Sequence, residues 1–179
     1  MYRNGAGKLE TPDGQPITQP FDGDGYVSSF TFDDSEKVSF KGKFVKTQGY
    51  VEEQAAGKAL YRGAFSPANV TGDLFYNPFD FTYKNIANTG VVEWNNEVLA
   101  LWESGMPHAL DPKTLDTKGT TRMDNTIDRD GSASAHYKIR DGRLINFGWK
   151  LSGISDMHLK IWEYASDSYD VVQYSELKV

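Results

Sequence analysis

The sequence predicts an all-β chain of antiparallel hairpins, and three observations carry that expectation. Its apolar runs, such as Val98 to Trp102, have the length of strands. Turn formers separate those runs, with 17 glycines spread through 179 residues. Aromatic residues make up 13% of the chain, and pleated, half-buried surfaces favour them.

Tyr26 to Phe32 alternates loosely, Asp33 to Glu36 supplies a turn, and Val38 to Val45 returns as the second strand of a hairpin. The stretch Glu52 to Leu60 alone has helical composition, and Gly57 interrupts it. From Phe65 to Tyr83 the aromatic residues Phe65, Phe75, Tyr76, Phe79, Phe81 and Tyr83 crowd around Pro67 and Pro78 without a period. That stretch reads as a long loop or insertion, its rings either tucked into the core or presented at the surface. A second hairpin runs from Val91–Trp94 through Asn95-Asn96 into Val98–Trp102. A third runs from His136–Ile139 through Asp141-Gly142 into Leu144–Phe147, and a fourth joins His158–Trp162 to Asp170–Tyr174. The turns near 34, 95, 141 and 167 are unevenly spaced, which suits propeller blades with insertions and also suits a sandwich.

Composition narrows the function classes. Lys and Arg number 19 against 25 Asp and Glu, a net charge of −6, and no basic cluster is present. A nucleic-acid binder needs a basic face to neutralise phosphates, so that class is set aside. The chain has no cysteine, which removes disulfides, thiolate metal sites and cysteine nucleophiles together. No apolar run reaches membrane-spanning length. The first residues, Met1-Tyr-Arg-Asn-Gly5, show neither a basic nor an apolar leader region, so the expected location is intracellular.

Few motifs bear chemistry. Phe21-Asp-Gly-Asp-Gly25 departs from a calcium loop at Tyr26, Val27 and Asp33, and reads as a tight turn feeding a strand. The histidines are His108, His136 and His158, and no pair has metal-ligand spacing. His136 is the least ordinary of them, because Ser132-Ala-Ser-Ala135 delivers it on small side chains that leave room around an imidazole.

An ordered set of short words points further. Tyr2-Arg-Asn-Gly5, Phe21-Asp-Gly-Asp-Gly25, Phe44-Val-Lys-Thr-Gln-Gly-Tyr50, Glu53-Gln-Ala-Ala-Gly57 and Tyr61-Arg-Gly63 come first. Lys84-Asn-Ile-Ala-Asn-Thr89, Leu99-Ala-Leu-Trp-Glu103, Leu110-Asp-Pro-Lys-Thr-Leu-Asp-Thr117, Ala135-His136 and Asn146-Phe-Gly-Trp149 follow. Together, and in this order, they resemble the carotenoid cleavage oxygenases across nearly the whole chain.

The resemblance implies a seven-bladed β-propeller with non-haem Fe(II) on its axis, held by four histidines and supported by outer glutamates. It implies cleavage of a carbon–carbon double bond of a conjugated polyene by O₂, giving two carbonyl products. Carried over, His136 matches the first iron ligand, and Glu103, thirty-three residues earlier, matches an outer glutamate of the Glu–His pairs. His108 and His158 match no ligand position. Trp102 stands where stilbene-cleaving relatives place a lysine for a phenolic substrate, so an aromatic wall favours a polyene. The Phe65–Phe81 stretch matches an insertion near the tunnel mouth, and Phe65, Leu74, Phe75, Phe79 and Phe81 are expected in an apolar patch for peripheral membrane contact. Members run to several hundred residues, so residues 1–179 are expected to be a single partial propeller domain of two or three blades, truncated at the C-terminus. The location is then cytoplasm, or plastid in a photosynthetic eukaryote. A stilbene-cleaving dioxygenase and a non-catalytic propeller fragment are the alternatives.

Overall fold

The computed structural model describes residues 1–34, 36–65, 83–152 and 156–179, and among these described residues eleven strands form. The first sheet joins β1 (Tyr2–Ala6), β2 (Gly25–Phe32) and β3 (Val38–Phe44) in that order. The second is an antiparallel meander of β4 (Gly90–Trp94), β5 (Glu97–Leu101), β6 (His108–Leu110) and β7 (Thr117–Thr120). The third orders β8 (Lys138–Arg140), β9 (Arg143–Ser152), β10 (Asp156–Tyr164) and β11 (Val171–Lys178) as another antiparallel meander.

The middle sheet explains why Val98–Leu101 is apolar at every position rather than at every second one. Side chains alternate between faces along a strand, and here both faces are covered. Val98, Ala100 and Leu110 pack with Val27 of β2 on one side. Leu99, Leu101, Val92, Trp94 and Ala109 pack with Leu144, Trp162 and Tyr164 of the third sheet on the other. Each such leucine contributes about 1.5–3 kcal/mol by leaving water, so the three sheets stack face to face around this strand.

Turns fix the registers. Asn95 and Asn96 adopt φ of 49° and 57°, and Asp141 and Gly142 adopt 50° and 73°, the paired positive values that two-residue hairpins require. The single α-helix among the described residues, α1, spans Gln48–Ala56. Thr47 caps it by accepting from the Tyr50 amide, and Gly57 ends it at φ 67°, so this glycine terminates the helix rather than interrupting it. The expected helical stretch Glu52–Leu60 is thus shifted toward the N-terminus by about one turn.

The third and fourth hairpins form as β8–β9 and β10–β11, and β9 pairs with β10 from Leu144↔Tyr164 to Ser152↔Asp156, so the two share one sheet. One further expectation needs correction. The third hairpin's first strand begins at Lys138 rather than His136, since residues 132–135 lie across β9 instead of extending β8.

Candidate functional site

Two chain segments of the second and third sheets meet at the site. Glu103 follows the last residue of β5 by two positions, in a turn closed by the Gly105 amide donating to Trp102 O at 3.5 Å. His136 ends the run of small residues that crosses β9. The Ala133 amide donates to Gly105 O at 3.3 Å, so backbone joins the two segments before any functional side chain does.

The crossing is close because the side chains are small. The Ser134 amide donates to Phe147 O at 2.7 Å, and the Trp149 amide donates to Ser132 Oγ at 3.2 Å. Asn146, buried on β9, donates from Nδ2 to Ser134 O at 3.1 Å. Gly90 is required on the other side, where a Cβ would stand 2.5 Å from Ala135 O. Tyr137, next to His136, donates its hydroxyl to Val91 O at 2.8 Å.

These constraints bring Glu103 and His136 together. Glu103 Oε1 lies 3.2 Å from His136 Nε2 and accepts from the Ala135 amide at the same distance. Glu103 Oε2 accepts from Ser134 Oγ at 3.0 Å, and the His136 amide donates to that same Oγ at 3.0 Å. The His136 side chain is 74% exposed, and Nδ1 makes no hydrogen bond to a described residue. An open imidazole with a carboxylate at one nitrogen has the donor chemistry of a metal ligand with an outer partner. Among the described residues no group of three or more His, Asp or Glu side chains is placed to hold an ion, so a metal at His136 would need further ligands.

The other candidates lie apart in role. His108 is buried on β6, and burial pushes its imidazole down to about 4, so it is neutral. His158 on β10 pairs through Nδ1 with Glu176 at 2.8 Å. Trp102 is buried, its ring facing the space where a Gly105 Cβ would stand. Asp24 of the Phe21–Gly25 turn is paired with Lys84 at 2.6 Å, and Lys84 reaches Glu53 at 2.6 Å. Phe65 is 63% exposed and meets Phe21, 67% exposed, edge to face with centroids 5.8 Å apart. Leu74, Phe75, Phe79 and Phe81 lie outside the described residues.

Residues that the sequence reading left unassigned hold the pair together: Ser134, Asn146 and Gly148. The run of small residues is visible in the sequence, and the two hydroxyls among them, Ser132 and Ser134, are the signal.

Comparison with known proteins places this arrangement. The family described as RPE65, retinal pigment epithelial membrane protein, matches residues 1–178. Apocarotenoid-15,15'-oxygenase of Synechocystis sp. is 47% identical over 78% of this chain, and that match spans 28% of the relative. Isoeugenol monooxygenase of Pseudomonas putida is 33% identical over 96% of the chain, which is 35% of that protein. A solved glutamate-to-glutamine mutant of Synechocystis apocarotenoid oxygenase superposes with a TM-score of 0.89 at 37% identity, covering 99% of this chain and 38% of that one. A cobalt-substituted form of that oxygenase superposes at 0.88 with 39% identity. The chain thus spans about a third of the length of these relatives. Its all-β, antiparallel sheets correspond to part of a β-propeller. By its sequence words, its family match and its fold, the chain belongs to the RPE65 family of carotenoid cleavage oxygenases.

Proposed function

We propose that this chain forms part of a non-haem Fe(II) dioxygenase that cleaves a carbon–carbon double bond of a carotenoid or apocarotenoid with O₂, yielding two carbonyl products. The observation that carries the reading is the Glu103–His136 pair, brought within 3.2 Å across thirty-three residues of sequence. The 47% identity to an apocarotenoid oxygenase, against 33% to an isoeugenol monooxygenase, supports a polyene substrate. Trp102 supports it too, since a buried aromatic ring beside Glu103 offers no charge to a phenol.

The chain's own residues have defined tasks in this reading. His136 supplies one imidazole to the metal, and iron would supply the means of activating O₂. Glu103 holds the orientation of an imidazole by taking its N–H, which also raises the basicity of the ring. The turn at 102–105 and the run at 132–135 keep both groups in place, so little reorganisation accompanies binding. Exposed Phe21 and Phe65 support peripheral contact with a membrane, from which a water-insoluble polyene could pass without crossing solvent. The corresponding location is cytoplasm or plastid.

The test is made on the longer oxygenase that contains this chain, purified anaerobically and loaded with Fe(II). Incubation with an apocarotenal under O₂ should give paired carbonyl products, with one iron per protein. His136→Ala should abolish iron retention, and Glu103→Gln should lower turnover by about 10–100-fold. Cleavage of a hydroxystilbene but no polyene would assign the stilbene branch. Absence of both iron and product would leave a non-catalytic propeller.

A further inference from the structure

The Glu103–His136 contact is long for a pair meant to fix an imidazole, and both groups lie toward solvent, with side chains 41% and 74% exposed. An exposed pair of this kind holds its geometry weakly by itself. Something else must set it, and the hydrogen bonds around residue 134 supply that restraint.

We propose that Ser134 is a positioning residue that couples the carboxylate of Glu103 to the backbone of His136 through a single hydroxyl. Ser134 is 2% exposed and is fixed on every side. Its amide is held by Phe147 O, its carbonyl by Asn146 Nδ2, and Asn146 is in turn oriented by the Phe147 amide donating to its Oδ1 at 2.6 Å. The hydroxyl has one proton and two lone pairs. The His136 amide donates to Oγ at 3.0 Å, so the hydroxyl proton is left for Glu103 Oε2, also at 3.0 Å. The direction of both bonds follows without choice.

This polarity suits a carboxyl group. Oε2 accepts from Ser134 while Oε1 accepts from the Ala135 amide, so both oxygens serve as acceptors. A glutamine would turn an NH₂ group toward either the Ser134 hydroxyl or the Ala135 amide. Facing Ser134, that NH₂ would donate to Oγ and leave the hydroxyl proton without its acceptor, so the hydroxyl that holds the His136 amide would no longer be fixed by residue 103. A change at residue 103 is therefore transmitted to an amide that Glu103 does not touch.

The inference rests on the proposed iron oxygenase, and its tests are arranged so that the two fail differently. Iron stoichiometry of the unmodified longer protein comes first: no bound iron ends the functional reading. With iron bound, Ser134→Ala is expected to release Fe(II) to a chelator about ten-fold faster, the lower end of the effect of losing an outer partner, with an unchanged melting midpoint. Ser134→Thr, which keeps the hydroxyl, should restore slow release. Wild-type release from Ser134→Ala, a melting loss that accounts for the release, or a threonine variant no better than alanine would each overturn the inference and leave the function standing.

A second measurement needs no substitution at 134 and no metal. In the longer protein without metal, followed by amide exchange, Glu103→Gln should speed exchange at the His136 amide by about ten-fold, the loss of one hydrogen bond. Unchanged protection at His136, with exchange altered only at Ala135, would show that Ser134 transmits nothing.

Discussion

Gly148 on β9 lies against Ser132 so closely that a Cβ would stand 1.8 Å from the serine carbonyl oxygen. The contact is backbone against backbone, so no flexible side chain can yield. It sets the separation at which Ser134 reaches Phe147 and Ser132 reaches Trp149. Gly148→Ala should therefore pry the 132–135 run from the sheet and destabilise the fold by about 3 kcal/mol, the upper range of overpacking. Gly5→Ala, where the added carbon meets open space, should stay within about 0.5 kcal/mol. Urea unfolding of both variants measures the difference.

His108 gives a pH dependence with a definite sign. Its folded-state value is about 4 against 6.5 for an open imidazole, because burial disfavours the cation. Between those values the unfolded chain takes up a proton that the native chain refuses, so stability falls as pH drops from about 6.5 to 4. The full effect is of the order of 3 kcal/mol. His108→Leu should flatten that part of the pH–stability curve, and a curve left equally steep would place the proton uptake elsewhere.

Lys84 joins three segments by charge, meeting Asp24 before β2 and Glu53 on α1 at 2.6 Å each. Glu53 also accepts from the Leu60 and Tyr61 amides, which turns the chain after the helix. Lys84→Met would leave the buried Glu53 and the half-buried Asp24 without their shared cation, at a cost of about 3 kcal/mol at neutral pH. Burial already raises the Asp24 carboxyl above its ordinary value, with Lys84 opposing that shift. A group raised in the folded state is stabilising when protonated, so the variant's deficit should shrink as pH falls toward 4 and grow again as it rises. Thermal melting of both proteins across that range checks the sign.

Legibility of the fold followed turn chemistry. Asn95-Asn96 and Asp141-Gly142 announced their hairpins because positive φ at both positions suits few other residues. β1, β6 and β7 were not anticipated: Tyr2–Ala6 carries two small residues and an asparagine, and His108–Leu110 is too short for a period. Their pairing comes from neighbouring strands. The site was legible only as words, since Glu103 and His136 have no local periodicity linking them. Ser134 went unassigned because a hydroxyl reads as filler until its two partners are known.

Phe21 and Phe65 give the proposed membrane contact a test within the described residues. Both rings are mostly exposed and touch edge to face, so they present one continuous apolar surface. Burying a phenylalanine side chain is worth about 1.5–3 kcal/mol. Phe21→Ser with Phe65→Ser should thus reduce flotation of the longer oxygenase with neutral liposomes by at least about ten-fold, with melting unchanged. Equal flotation would move the membrane contact away from this pair.

The 179-residue chain by itself should bind no stoichiometric iron. A single imidazole holds first-row divalent ions weakly, and protein sites gain affinity from several preorganised ligands acting together. Among the described residues His136 has Glu103 beside it and no further ligand cluster. His158 is engaged by Glu176, and buried His108 is not presented at the surface. Purification under anaerobic conditions with added ferrous salt, followed by metal analysis and incubation with an apocarotenal, should give less than about 0.1 iron per chain and no aldehyde above the free-iron background. Adding His136→Ala should change neither result, because one weak ligand contributes little alone. One iron per chain in the unmodified protein, lost in that variant, would mean that this length already assembles a complete metal centre.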